Sequence, residues 1–137
     1  MLVLDTTAVS HIMRRDPEHL ERLRSLEPRE VVLCAPVAAE IHFGLERLDP
    51  DSLRRQLLDQ EYHRFRACVS WADWSEPAAG IFGRFKATMQ AKGTSVDDMD
   101  LIIASVATGL GAAVATSNVR HFNLIPDLEV LDWSSAR

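Results

Sequence analysis

Four short apolar runs, continuous rather than alternating, limit most strongly what this chain can fold into. They are Leu2–Leu4, Val31–Ala35, Ala113–Ala115 and Val130–Leu131. A strand with one face in water alternates apolar and polar residues. An unbroken run suits a strand covered on both faces, the usual condition of a parallel sheet packed between helices. A fifth run, Ala67–Ser70, is a weaker candidate strand. Helical patterns fill the intervals. The first spans Thr6 to Arg14, and Pro17 starts a second running to about Leu26. Pro36 opens a helix that carries Val37, Ile41 and Leu45 at four-residue spacing. Asp51 or Ser52 caps a long helix through Gln60 to about Arg66. Ser75-Glu76-Pro77 opens another that reaches Ala91 and stops at Lys92-Gly93. The last long helix starts near Val96–Asp98 and ends at Gly109–Gly111. Strands alternating with helices predict an α/β layered fold with a mostly parallel sheet.

At 137 residues, with no composition break, linker or repeat, residues 1–137 are expected to form one domain. Hydrophobic residues make up 47% and charged residues 26%, so the core needs no disulfide or metal staple. No apolar run approaches the roughly 20 residues of a membrane span, and Met1 leads straight into Leu2–Leu4 without a signal-peptide pattern. The expectation is a soluble, cytoplasmic protein. Cys34 and Cys68 read as small buried hydrophobes rather than as a disulfide, a zinc site or a reactive thiol. The net charge of −5 excludes a binder that holds nucleic acid by bulk phosphate neutralisation. It leaves room for an enzyme that gathers carboxylates at one metal site. The local arginine clusters, Arg14-Arg15, Arg22 with Arg24, Arg54-Arg55 and Arg64 with Arg66, read as solvated helix faces.

Three carboxylates stand out by position. Asp5 directly follows the first strand run, and ligand sites in open parallel sheets lie outside the carboxyl ends of strands. Two roles stay open for it, a functional acid or a helix cap; Thr6 or Thr7 as the cap would free it. Glu40 falls about 60° from Val37 on a helical wheel, at the edge of a buried stripe, either reaching solvent or partly buried. The third feature is Ser95-Val96-Asp97-Asp98-Met99-Asp100, opening a helix that is otherwise apolar nearly all round. Ser95 with Asp98 matches a capping box, and the helix dipole accounts for Asp97 and Asp98. Asp100, one turn in and above Ile103, Ala104 and Ala107, is not at a capping position. Two or three carboxylates completed by water suit Mg²⁺ or Mn²⁺, which acidify water and clamp a phosphodiester for in-line attack. Crowded carboxylates without a cation would raise one another's pKa.

The segments Leu2-Val3-Leu4-Asp5-Thr6-Thr7, Pro36–Leu45, Asp100–Ser105, Ala115–Phe122 and Leu128–Trp133 together resemble, in order and over essentially the whole chain, the PIN-domain ribonucleases. The nearest likeness is to the VapC-type toxins of bacterial toxin–antitoxin pairs. The resemblance implies a three-layer α/β/α domain around a central, mostly parallel sheet of four to five strands. It implies a metal-dependent endoribonuclease with Asp5, Glu40 and Asp100 as its acidic set, Asp5 and Asp100 on Mg²⁺ or Mn²⁺. A fourth polar position, often aspartate in the family, is Asn118 here; an amide orients water or a carboxylate but brings no charge. Thr6 and Thr116 match hydroxyl positions beside the acids and would hold them by hydrogen bonds. Asp98 falls off the core pattern and stands as an accessory acid, and Arg120 is the candidate phosphate contact. An RNA substrate, a homodimer and a cognate antitoxin that covers the acidic pocket are also implied.

The five histidines show no metal-ligand spacing, and His42 and His121 read as surface or packing residues despite lying near these segments. Trp71, Trp74 and Trp133 could stack RNA bases, but Trp71 and Trp74 read as core or interface residues. Two other functions fit parts of the pattern. An aspartate-nucleophile phosphatase would use Asp5 but needs a second aspartate where Thr7 stands. A non-catalytic PIN-like module that binds RNA or protein would explain Asn118, against the retention of three acids.

Overall fold

The computed structural model describes residues 1–135. Its centre is a five-stranded sheet of β1 (Leu2–Leu4), β2 (Val31–Cys34), β3 (Ser70–Ala72), β4 (Ala113–Thr116) and β5 (Val130–Asp132). The order is β3-β2-β1-β4-β5, and every pairing is parallel. The helices are α1 (Thr6–Met13), α2 (Pro17–Arg24), α3 (Ala35–Glu46), α4 (Leu53–Cys68), α5 (Glu76–Ala91), α6 (Asp98–Leu110) and α7 (Val119–Phe122). They cover the sheet to give the three-layer α/β/α arrangement. The three central strands are buried along their whole length, which is why they read as unbroken apolar runs. Val3, Leu4, Val31, Leu33 and Val114 are fully inaccessible.

Helix starts follow local chemistry. Asp16 accepts from the His19 amide at 3.1 Å beside Pro17, Ser52 from Arg55 at 3.1 Å, and Ser75 from Ala78 at 3.3 Å. Gly111 ends α6 in the left-handed conformation, at φ +65°. The Ser95–Asp98 capping box does not form. Asp97 caps α6 through the Met99 amide at 2.8 Å, and Asp98, in the first turn, pairs with Lys86 of α5 at 3.1 Å.

Three further expectations are corrected. The fifth strand is Ser70–Ala72, not Ala67–Ser70, because α4 continues through Cys68. An edge strand has one neighbour and leaves its residues half-covered, so β3 needs no apolar run. Cys68 is exposed on the last turn of α4, whereas Cys34 is buried, its thiol pushed up to about 11 chiefly by burial. Trp71 and Trp74 are exposed rather than core; Trp71 lies under the Arg66 guanidinium and Trp74 edge-on to Phe82. Trp133 is buried. Arg22 fixes the chain there by donating to the carbonyls of Trp133 at 2.7 Å and Ser134 at 3.1 Å.

The four-residue α7 was not expected. It is too short to be stable by itself, and Phe122, fully buried, holds it to the core. Phe122→Ala should therefore lower unfolding free energy by about 3–5 kcal/mol, measured by chemical denaturation. A change below about 1 kcal/mol would mean that α7 is held by something else.

Candidate active site

β1 lies at the point where the chain's strand order reverses, with β2 on one side and β4 on the other. In open parallel sheets, ligand sites form beyond the carboxyl ends of the strands at such a reversal. Asp5 directly follows β1 at that point. Its amide donates to the Ala115 carbonyl of β4 at 3.0 Å, and the residue is 3% exposed. Oδ1 accepts from the Ala8 amide at 2.9 Å and from the Thr7 hydroxyl at 2.7 Å; Oδ2 accepts from the Thr116 hydroxyl at 2.5 Å. Asp5 is thus the cap of α1, so neither Thr6 nor Thr7 releases it from that duty. The two open roles are not exclusive, because one oxygen does the capping.

The threonines have other tasks. Thr6 donates across to the Glu40 carboxylate of α3, at short range. Thr7 also accepts from the Ser117 amide at 3.0 Å, tying the β1–α1 turn to the turn after β4. Glu40 is half-buried, at the margin of the stripe formed by Val37, Ala38, Ile41 and Leu45.

Asp100 is also half-buried. Burial raises its pKa above the ordinary carboxylate range, the charge of Asp97 adds to this, and the His121 imidazole opposes it. The charge of Asp5 contributes further, so the two carboxylates lie within electrostatic reach of one another. Asp5 is likewise raised, chiefly by burial, against the hydrogen bonds from Thr116, Ala8 and Thr7. The charges of both Glu40 and Asp5 also act on the Cys34 thiol at the end of β2.

The turn after β4 completes the site. Thr116 accepts from the Asn118 amide at 2.8 Å while donating to Asp5, and Asn118 begins α7 with its side chain exposed. Asn118, Arg120 and His121 line one open cleft with Asp132 and Ser134. His121 is a surface histidine, 58% exposed, that also pairs with Asp100, its Nδ1 standing 3.4 Å from Oδ2. The signal that could have exposed it is its place one turn after Asn118, if a helix had been foreseen there. Asp98 is not drawn to the other acids, being exposed and paired to Lys86. His42 is exposed and packs edge-on to Tyr62.

Among the described residues, the one set of three metal-capable donors within 4.8 Å of one another is His11, Asp16 and His19, not the acids Asp5, Glu40 and Asp100. That arrangement is a hydrogen-bonded stack. His19 Nδ1 lies 2.6 Å from Asp16, and the two imidazole rings face each other at 4.3 Å and 16°. Ligating lone pairs lie in the ring plane, so nearly parallel stacked rings do not converge on one ion.

The PIN-domain family model matches residues 2–127. The chain is 30% identical over 132 residues to the tRNA(fMet)-specific endonuclease VapC of Salmonella typhimurium, covering 96% of each. It is 28% identical to ribonuclease VapC19 of Mycobacterium tuberculosis, over 94% of this chain and 98% of that one. Among solved structures, DNA-bound VapBC from Salmonella typhimurium superposes with a TM-score of 0.84 at 27% identity, over 96% and 97% of the two chains. VapBC2 from Rickettsia felis, bound to a promoter DNA fragment, gives 0.87 at 21% identity over 97% and 98%. The chain belongs to the PIN-domain family and, within it, to the VapC type.

The raised pKa of Asp5 makes a stability prediction with a definite sign. Its proton is held more tightly in the folded state than in the unfolded chain, so ionisation costs stability. That cost is absent below the ordinary carboxylate pKa of 3.8 and complete above the raised value. Asp5→Asn should therefore melt higher than the parent at about pH 7 in EDTA, the gap closing by about pH 3. A variant that melts lower at neutral pH would show that the Asp5 hydrogen bonds outweigh the burial of its charge.

Proposed function

We propose that this protein is an endoribonuclease that hydrolyses RNA phosphodiester bonds with the help of Mg²⁺ or Mn²⁺, and that it acts as the toxin of a toxin–antitoxin pair. The observation that carries this reading is the buried carboxylate of Asp5 at the strand reversal. Glu40 is joined to its turn through Thr6, and Asp100 lies within reach of its charge. The VapC relatives, named as ribonucleases and a tRNA endonuclease, support the same chemistry.

The donor set fits a hard divalent cation. Asp5, Glu40 and Asp100 offer carboxylate oxygens, and among the described residues no lysine or arginine forms an ion pair with any of them. Asp5 and Asp100 would hold the ion directly, and Glu40 directly or through water. Bound there, the cation neutralises the phosphodiester's charge and acidifies water. The chain's own residues do the positioning. Thr116 and Thr7 fix the rotamer of Asp5, and Thr6 fixes Glu40, so each carboxylate is aimed before substrate arrives. The exposed Asn118 amide can orient a water or a carboxylate beside them. The exposed Arg120, on the same cleft, is placed to contact a phosphate of the RNA strand. Asp98 has no role in this scheme beyond its pair with Lys86.

Residues 1–137 work as a single PIN-like domain in this reading, as a cytoplasmic homodimer opposed by a cognate antitoxin. The VapBC complexes among its structural relatives support such a partner. The test is an in vitro digest of a structured RNA pool by partner-free protein with Mn²⁺. EDTA should abolish cleavage, and Asp5→Ala or Asp100→Ala should each lower its rate by at least about a hundredfold. Parental rates in both variants would remove the acidic centre from the mechanism.

A further inference from the structure

We propose that the cleft beside the acidic centre receives a guanine base of the RNA strand, and that Asp132, at the end of β5, reads that base. This rests on the endoribonuclease reading above and deepens it, from RNA as a class to one base beside the cut.

The cleft has two walls. The turn after β4 and α7 supply Asn118, Arg120 and His121, and the end of β5 supplies Asp132 and Ser134. Its volume of about 370 Å³ lies near the lower end for ligand clefts, which start at about 300 Å³. The cleft adjoins the acids. His121 pairs with Asp100, and the Asn118 amide donates to the same Thr116 hydroxyl that holds Asp5. Asp132 is in register with Thr116, and β4 lies between β5 and β1. Asp132 therefore stands two strand spacings, about 10 Å, from the strand that ends at Asp5. That is about the reach from a phosphate to the far edge of the base on the same nucleotide. The β5 wall is fixed in place. Trp133 is buried, its amide donates to the Thr116 carbonyl at 2.9 Å, and Arg22 holds the Trp133 and Ser134 carbonyls.

The chemistry follows from how Asp132 is held. Its Oδ1 accepts from the Ser134 amide at 2.8 Å and from the Ser134 hydroxyl at 2.5 Å. Those bonds set the rotamer and hold the carboxyl below its ordinary pKa, so it is ionised at neutral pH. Among the described residues, Oδ2 has no hydrogen-bond partner. An ionised carboxylate only accepts, and it repels a phosphate. Within a nucleotide it takes the N–H groups of a base or the hydroxyl of the ribose. His121 favours the base, because its ring edge is engaged with Asp100 and its face is what it can offer for stacking. Guanine is the best match, since N1–H and the 2-amino group are adjacent donors and Oδ2 has lone pairs for both. Cytosine and adenine place a single amino group beside an acceptor, and the N–H of uracil is flanked by carbonyls that a carboxylate repels. The Asn118 side chain, on the opposite wall, has an amide N–H to donate to guanine O6.

The experiment uses the full chain, free of partner, cutting a hairpin RNA with a randomised loop in Mn²⁺, with the cut ends sequenced. The parent should enrich guanine at one position flanking the cut, and Asp132→Asn and Asp132→Ala should each lower that enrichment about tenfold. The favoured hairpin is then made with inosine at that position, which removes only the 2-amino group. The parent should lose about tenfold in kcat/KM on inosine, whereas Asp132→Ala should cut both hairpins alike. Circular dichroism melts matching the parent establish that the variants remain folded. Three results overturn the assignment: a parent without base preference, Asp132 variants that keep the guanine preference, or an Asp132-dependent loss produced by a 2′-deoxy nucleotide and not by inosine, which would mark a ribose contact. The underlying reading is judged separately. A parent that leaves the whole pool uncut removes the endoribonuclease and this inference together; one that cuts with EDTA-sensitive rates but no base preference removes only the guanine site.

Discussion

The arrangement of this protein depends on keeping one carboxylate buried at the end of its central strand. Asp5 has almost no contact with solvent, and an ionised carboxylate in such a place is costly unless its oxygens are hydrogen-bonded. The fold meets that need with one backbone amide and two hydroxyls. Those donors come from the turn after β1 and from the end of β4, elements that only parallel pairing brings side by side. A register slip of one residue between β1 and β4 would turn Thr116 to the opposite face and leave Oδ2 without its donor. The strand register is thereby coupled to the site.

The same network explains why the turn after β4 is ordered. A four-residue helix cannot hold itself together, yet α7 is tied at its start by the Thr116 hydroxyl and at its end by Phe122. Thr7, reaching the Ser117 amide, adds a third fastening. The residues that face the cleft, Asn118, Arg120 and His121, are presented by a segment fastened to the core at its start and at its end. Rigid presentation of this kind lets a small loop do precise work at a reaction centre.

How much of this could be read from the residues follows the range of the physics involved. Fully buried strands leave continuous apolar runs, so β1, β2 and β4 were legible, and with them the parallel sheet; β5, an edge strand with half-covered and exposed residues, was read from Val130-Leu131 alone. Glu40 and Asp100 were legible because each breaks a 3.6-residue pattern at the margin of an apolar face. β3 was misplaced because an edge strand needs no apolar run, and the helical pattern of α4 extends past Arg66 to Cys68. α7 left no periodic trace in four residues. The cap of α6 was assigned to Ser95 because a capping box is a matter of spacing, and spacing cannot say that the chain reaches helical geometry only after Asp97. The contact of His121 with Asp100 joins elements that are distant in sequence, and only the tertiary fold sets it.

The choice of partners for the acids separates two needs that are easily merged. A buried carboxylate must have its lone pairs occupied, and it must have its charge balanced, but one group need not do both. Threonine hydroxyls occupy the oxygens of Asp5 and Glu40 and leave their charge in place. Had lysine or arginine stood at positions 6, 7 or 116, the site would carry its own counter-ion and have no reason to take up another. With hydroxyls there, the negative field of Asp5, Glu40 and Asp100 remains open at the ends of the strands. A divalent cation satisfies it through coordination. A guanidinium offered by a protein partner would satisfy it through paired hydrogen bonds. Those two occupants would exclude each other on electrostatic grounds, so under the proposed function an acidic centre able to take a cation would also be one that a basic partner could cover.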